Sequence, residues 1–449
     1  MRGLKMGWVV FLSIAVALAA CEKKTETPAE PAKAKAEAPE VKDQPENAKP
    51  EADKPASAAK AADPAHKLLD AAIAARGGLA KLKAISGITV KTSGNYMSMP
   101  YTARSFIRPG DKMRMEVAMH SGEQMTMMFG LQDCWTQSGP VVMPCMKDEQ
   151  ESDRKMMAFD KALMLWPLSE KGWQITAGKV KQGDRELDSL AVTNTELGID
   201  GKLLFDPETH LVVGASYKGN HMGQAGDIAY ELSDYKDFCD VKVPGTSKMT
   251  FNGKPYMDEK CLEVECAALP DEKFAKPEQV KDGTIAKRQI PGGTIACFTM
   301  KGPYTGMPAA MGKLGKFMQE QKLAPMGPPM MVYLKGPPRV KKAKRFVTDV
   351  CFPVAAPAPK KPRKKGAFTI KGIKPMQVLS AYGIGDYNKK SPQLMKLLIK
   401  EAKKRKLKAA GPMGQIAYSD PKTVPPKQCV SEMMMPIKGK RVRKNHVKK

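Results

Sequence analysis

The sequence predicts an α+β protein with two folded units: an antiparallel half-barrel with helices, then a duplicated strand-helix-strand-strand unit. Three observations predict it. Just after residue 63 the apolar residues recur at helical spacing. Between about 88 and 267 they alternate with polar ones, as in half-buried strands. Beyond residue 284 one pattern occurs twice in order.

The N-terminus precedes both units. Arg2 and Lys5 supply positive charge, Met6 to Leu18 is a short apolar run, and Ala19 and Ala20 are small. This layout predicts a secretory signal peptide over 1–20 rather than a membrane-spanning helix. Leu18-Ala19-Ala20-Cys21 resembles the bacterial lipobox. That resemblance implies cleavage before Cys21 and lipidation of its thiol, with Glu22 favouring the outer membrane, facing the periplasm. Residues 21–63 then form a linker of Ala, Pro, Lys, Glu and Asp, too poor in large apolar side chains to fold alone.

The formal charge is +27, and Lys335–Gly366 holds eleven Lys or Arg against the single acid Asp349. The tail 443–449 is also basic. Export removes nucleic acid as a partner and leaves anionic lipid or polymer as the electrostatic match, or else a solvated basic face. Eight cysteines lie beyond Cys21, an even number that suits disulfides in an oxidising compartment. Cys134 and Cys145 flank a hairpin-like segment and are candidate partners; the other pairings stay open. No CxxC or His-rich spacing predicts a metal site, and no cofactor is expected.

The first unit spans 64–272. Asp63-Pro64 is a helix start and Gly77-Gly78 a stop, with Leu68, Leu69, Ala72 and Ile73 on one face between them. A short helical piece with Leu79, Leu82 and Ile85 follows. Met113, Met115, Val117 and Met119 then alternate with polar or small residues, as do Met125, Met127 and Phe129. KLLFD-PETH-LVVGASYKG predicts a hairpin turning at Asp206-Pro207-Glu208, and 246–252 with 259–267 predict another strand pair. The segments GGLAKLKAISGITV, RPGDKMRMEV, FDPETHLVVGASYKG and DYKDFCDVKVPGT resemble the lipoprotein-sorting family of LolA and LolB. The resemblance implies a curved sheet forming an acyl-chain gutter, lined here by Met113, Met115, Val117, Met119, Met125, Met127 and Phe129. Methionines near His120 and His221 would also suit Cu(I), but thioethers at strand spacing are commonly core.

The second unit spans 284–442, with copies at about 284–356 and 367–440. GPYTGMPAAMGKLGKFMQEQKL, MGPPMMVYLKGPP and TDVCFPV are answered by IGDYNKKSPQLMKLLIKEAKKRKL, AGPMGQIAYSDPKTVPP and SEMMMPI. Tyr304 matches Tyr387, Tyr333 matches Tyr418, and Asp349 matches Glu432. This pattern resembles the GyrI-like effector-binding domain, also found at the C-terminus of AraC-type activators. The resemblance implies a pocket between the copies, with Glu432 as its acid, Asp349 as the counterpart, and Tyr304, Tyr333, Tyr387 and Tyr418 as walls. It also implies a taste for lipophilic cations.

The expected function is therefore non-catalytic binding of small amphipathic molecules by a membrane-anchored envelope lipoprotein. Two alternatives stand beside it. One is a GyrI-like hydrolase using Glu432 with Tyr418; the other is a structural envelope protein holding anionic polymers. No Ser-His-Asp arrangement or nucleophile elbow supports catalysis.

Overall fold

A computed structural model describes residues 63–438, apart from 120–123, 146, 222–223 and 338–339. The signal peptide, Cys21, the linker up to residue 62 and the basic tail lie outside the described residues.

The chain opens with α1 (Pro64–Ala75) and α2 (Leu79–Ala84). Asp63 caps α1 by accepting from the Ala65 N–H at 3.3 Å, and Leu69, Ala72 and Ile73 bury its apolar face. Gly77 has φ +113°, and a Cβ there would meet the Asp240 carbonyl at 2.7 Å, so glycine is required where the helix turns back. The first strands are β1 (Ile88–Tyr96), β2 (Met99–Arg108), β3 (Lys112–Met119), β4 (Gln124–Gly130), β5 (Cys134–Ser138) and β6 (Val141–Pro144). Helix α3 (Lys147–Ala162) separates them from β7 (Gln174–Gln182), β8 (Arg185–Asn194), β9 (Ile199–Phe205), β10 (Val212–His221) and β11 (Gln224–Ser233). Then come β12 (Lys236–Phe238), β13 (Val241–Val243), β14 (Thr246–Phe251) and β15 (Lys254–Cys266).

These strands, except the small β12–β13 pair, form one open antiparallel sheet of thirteen strands, ordered β6-β5-β4-β3-β2-β1-β15-β14-β11-β10-β9-β8-β7. The helix α3, to which the sequence reading assigned no element, touches both β4 and β10. Those strands stand seven places apart, which on a flat sheet would be about 33 Å. One helix is only about 10–12 Å across, so the sheet must curl around it. Helix α1 closes the far end against β7.

The second sheet has nine strands: β16 (Ile285–Ile290), β17 (Gly293–Lys301), β18 (Met330–Lys335), β19 (Val347–Val354), β20 (Arg363–Lys365), β21 (Phe368–Ile373), β22 (Met376–Ile384), β23 (Gly414–Ala417) and β24 (Val430–Pro436). Helix α4 (Met307–Glu320) lies on β17 and β19, and α5 (Tyr387–Lys404) lies on β22 and β24. The order β16-β22-β24-β23-β18-β19-β17-β21-β20 is symmetric about the β18–β23 seam over eight strands, with β20 unmatched at one edge. At that seam Met330 pairs with Ile416, Met331 with Gln415, and Val332 with Gly414.

Register decides the faces. Met331 stands beside Val350 under α4, and Gln415 beside Met433 under α5. Since Met331 and Gln415 are themselves paired, both helices cover the same face. Among the described residues, the opposite face carries no helix.

Three disulfides brace the sheets. Cys134 joins Cys145 across the β5–β6 hairpin, Cys239 joins Cys266, and Cys297 joins its cross-strand partner Cys351. Cys261 and Cys429 are buried. No helix among the described residues is long and apolar enough to cross a membrane.

Leu398, fully buried where α5 meets β22 and β24, tests the helix-side packing. Leu398→Ala is expected to destabilise the second sheet by about 3 kcal/mol, read as a lower urea midpoint at unchanged ligand-free secondary structure.

Candidate ligand-binding sites

The two acids of the second sheet lie on its helix-free face. Glu432 is paired with Tyr382 and Ile416, and Asp349 with Thr299 and Val332. Each acid already holds a cation. Arg288 donates to both oxygens of Glu432, at 2.6 Å each, and Ser380 and Tyr418 add hydroxyl hydrogen bonds. Asp349 accepts from Lys371 at 3.2 Å and from the Thr299 hydroxyl at 2.7 Å.

The cations come from exchanged strands. Arg288 is on β16, which precedes the first half yet pairs with β22 of the second. Lys371 is on β21, which precedes the second half yet pairs with β17 of the first. Arg288 stands opposite Val378, and Lys371 opposite Ile295, which are equivalent places in the two halves. Burial disfavours the Arg288 charge, but hydrogen bonds to Glu432 and its charge outweigh that, and the net effect raises its pKa. Burial first, then the Glu432 charge, pushes the Tyr418 hydroxyl well above its ordinary range.

The four predicted tyrosines do not come together. Tyr418 reaches Glu432, with its hydroxyl 2.8 Å from the carboxylate. Tyr333 packs with the α5 cluster and donates to Gln415, on the helix side. The register explains this: Val332 sits opposite Asp349 as Ile416 sits opposite Glu432, so Leu334, not Tyr333, holds the place of Tyr418. A one-residue offset in a strand reverses the face. Tyr304 joins the α4 cluster, its ring 5.5 Å from that of Tyr333. Tyr387 begins α5 and donates to the Ser419 carbonyl at 2.6 Å. Sequence reading passed over Arg288, Ser380 and Tyr382; Tyr382 is paired with Glu432, and an alternating β22 was the available signal.

The face around Glu432 is covered by the first sheet. Val141 and Met143 of β6, with Val280, form one buried cluster with Tyr382, Tyr418 and Val430. Gln279 secures the contact by accepting from the Val142 N–H and donating to its carbonyl.

In the first sheet the candidate gutter residues share one face. Met113 stands opposite Phe129, Met115 opposite Met127, and Val117 opposite Met125; Met119 lies on the same side. Met113, Met115, Met127 and Phe129 are buried in the core that also takes up Met156, Met157 and Phe159 of α3. Farther round the curl the same interior is polar. Asp160 and Glu259 are both fully buried. Glu259 accepts from Tyr101 and Thr92, and burial, opposed by those bonds, pushes its carboxyl up to about 7. The methionines near His120 and His221 offer no described metal geometry, since His120 lies outside the described residues and nothing is described of the His221 side chain.

A family model for the GyrI-like small molecule binding domain matches residues 251–355, from the end of β14 to just past β19. The C-terminal part of the chain thus carries a GyrI-like domain. No curated protein matches the chain. Among solved structures, the C-terminal domain of EcmrR matches with a TM-score of 0.31 and 12% identity, over 35% of this chain and 98% of that one. A LolA superfamily protein from Nitrosomonas europaea matches with a TM-score of 0.33 and 12% identity, over 47% of this chain and 97% of that one. Likenesses at these scores describe resemblance only.

Two measurements test these sites. Arg288→Met strands a buried carboxylate and is expected to destabilise by about 3–5 kcal/mol, most of it recovered by adding Glu432→Leu, in chemical denaturation. Glu259 titrates higher folded than unfolded, so its contribution to stability is full below about pH 4.5 and is lost as pH rises through about 7. The stability of wild type relative to Glu259→Gln should therefore fall by about 3 kcal/mol between pH 4.5 and 8, measured by denaturation at each pH.

Proposed function

We propose that this chain is an exported, lipid-anchored envelope protein that binds small amphipathic molecules without transforming them. The observation that carries the reading is the interior of the curled first sheet. There, paired thioethers on β3 and β4 line one face opposite α3, giving an unbranched, adaptable apolar surface suited to an acyl chain. Met113, Met115, Val117, Met119, Met125, Met127 and Phe129 hold the chain. The GyrI-like match over 251–355 supports small-molecule binding as the work of the second sheet as well.

That second sheet is a duplicated unit, in which the halves exchange their first strands and each acid takes its cation from the other half. Its ligand face is the helix-free one around Asp349; the equivalent face around Glu432, Tyr418 and Tyr382 is closed by Val141 and Met143 of the first sheet. Ion-paired acids favour recognition over catalysis, because a carboxylate accepting from Arg288, Ser380 and Tyr418 is poorly placed to take a substrate proton. Lipid on Cys21 holds the protein at the outer membrane, facing the periplasm, and the basic surface adds attraction to anionic lipid or polymer.

Native mass spectrometry of the full chain carrying Cys21→Ser should find a co-purified lipid or amphipath, lost when Met115 and Met127 are both replaced by Asp. A ligand-free spectrum after challenge with amphipaths of each charge type would reject the reading. The same Cys21→Ser change should move the protein from the membrane to the soluble fraction, whereas unaltered membrane retention would reject the anchor.

A further inference from the structure

We propose that the interior of the first sheet binds the headgroup of a lipophilic organic cation, with Asp160 as counter-ion and Tyr217 and Tyr230 as its aromatic wall. This rests on the reading of that interior as an amphipath groove, and it adds the charge of the ligand and the residues that select it.

Asp160 is on α3, fully buried, and neither carboxylate oxygen has a hydrogen-bond partner. A carboxyl in that position lacks both water and donors; burial pushes it well above the ordinary carboxylate range, so its protonated form is favoured until an added positive charge lets it ionise. No described residue supplies one. Arg76, the buried cation of this core, donates to the carbonyls of Lys242 and Leu163. The second acid of the interior, Glu259, also leaves one oxygen without a partner. In the second sheet, by contrast, Arg288 and Lys371 already neutralise both acids. An external cation therefore gains most in the first sheet.

The surroundings specify what kind of cation. Phe159, next to Asp160, stacks on Tyr217 with ring centroids 4.4 Å apart and an interplanar angle of 25°. Tyr217 stacks in turn near Tyr230, at 6.4 Å and 6°. Once ionised, Asp160 acts on Tyr217, Tyr230 and Tyr256, raising each phenol further above the level set by burial. Aromatic faces attract diffuse, weakly hydrated ammonium groups. A hard divalent ion instead demands several oxygen donors, and neither potential metal cluster among the described residues includes Asp160.

The apolar part of the ligand would be taken up by repacking within one core cluster. Helix α3 touches both the tyrosine strand β10 and the methionine strand β4, and all these residues belong to one core cluster. A headgroup at Asp160 thus places its tail toward Met115 and Met127, whose flexible side chains can repack around it.

Isothermal titration calorimetry on the full chain carrying Cys21→Ser tests this with decyltrimethylammonium, decyl maltoside and decanoate below their micellar concentrations. The ammonium compound should bind at least tenfold more tightly than the other two. Asp160→Asn and, independently, Tyr217→Leu should remove that preference while leaving decyl maltoside binding unchanged. Equal binding of all three by the parent protein, or a preference surviving in folded Asp160→Asn, overturns the cation site but leaves the groove standing. No binding of any probe overturns the groove, and the cation site with it. The three-probe comparison on the parent protein decides the matter even if a variant fails to fold.

Discussion

A carboxylate taken out of water must be given a cation, several donors or a proton, and the two sheets of this chain meet that demand in opposite ways. In the second sheet Glu432 and Asp349 are each satisfied from within, by Arg288 and Lys371 on exchanged strands. In the first, Asp160 is enclosed between α3 and a curled sheet with no donor at all. The polar chemistry of the molecule follows from that contrast. One sheet has closed its charges into structure, and the other holds an acid that burial keeps protonated until a partner cation arrives.

The exchange of β16 and β21 does more than supply cations. Each half extends its sheet with a strand that belongs, in sequence, to the other, so neither ion pair forms until both halves are assembled. The seam at Met331 and Gln415 then keeps α4 and α5 on one side. Consequently the two acids emerge together on the bare side, although they are far apart in the chain.

Half of that bare side is occupied. Strand β6 is an edge strand of the first sheet, and exposed edges invite unwanted pairing. Here Val141 and Met143 pack onto Tyr382 and Tyr418, while Gln279 satisfies the backbone of Val142. The Cys134–Cys145 disulfide ties β5 to the end of this hairpin. The contact protects an edge and shields Glu432, so the two sheets share one apolar cluster rather than meeting only through a linker.

The sequence by itself determined the elements whose information is local. Asp63-Pro64 and Gly77-Gly78 bounded α1, alternation placed the methionines of β3 and β4 on one face, and Asp206-Pro207 marked the turn between β9 and β10. The nearness of Cys134 and Cys145 across a hairpin was likewise readable. Only the tertiary structure decided the rest. Helix α3 is strongly polar in its first half, and its apolar residues gain meaning only inside the curl. Arg288 lies 144 residues from the Glu432 it neutralises, a pairing that no local period encodes. A register irregularity between Tyr333 and Lys335 disrupts the strand just where the Tyr333–Tyr418 match was drawn, and register places Tyr333 on the helix side. Partners joined through strand exchange and register depend on how the whole sheet is assembled, whereas caps, turns and alternation depend on neighbouring residues alone.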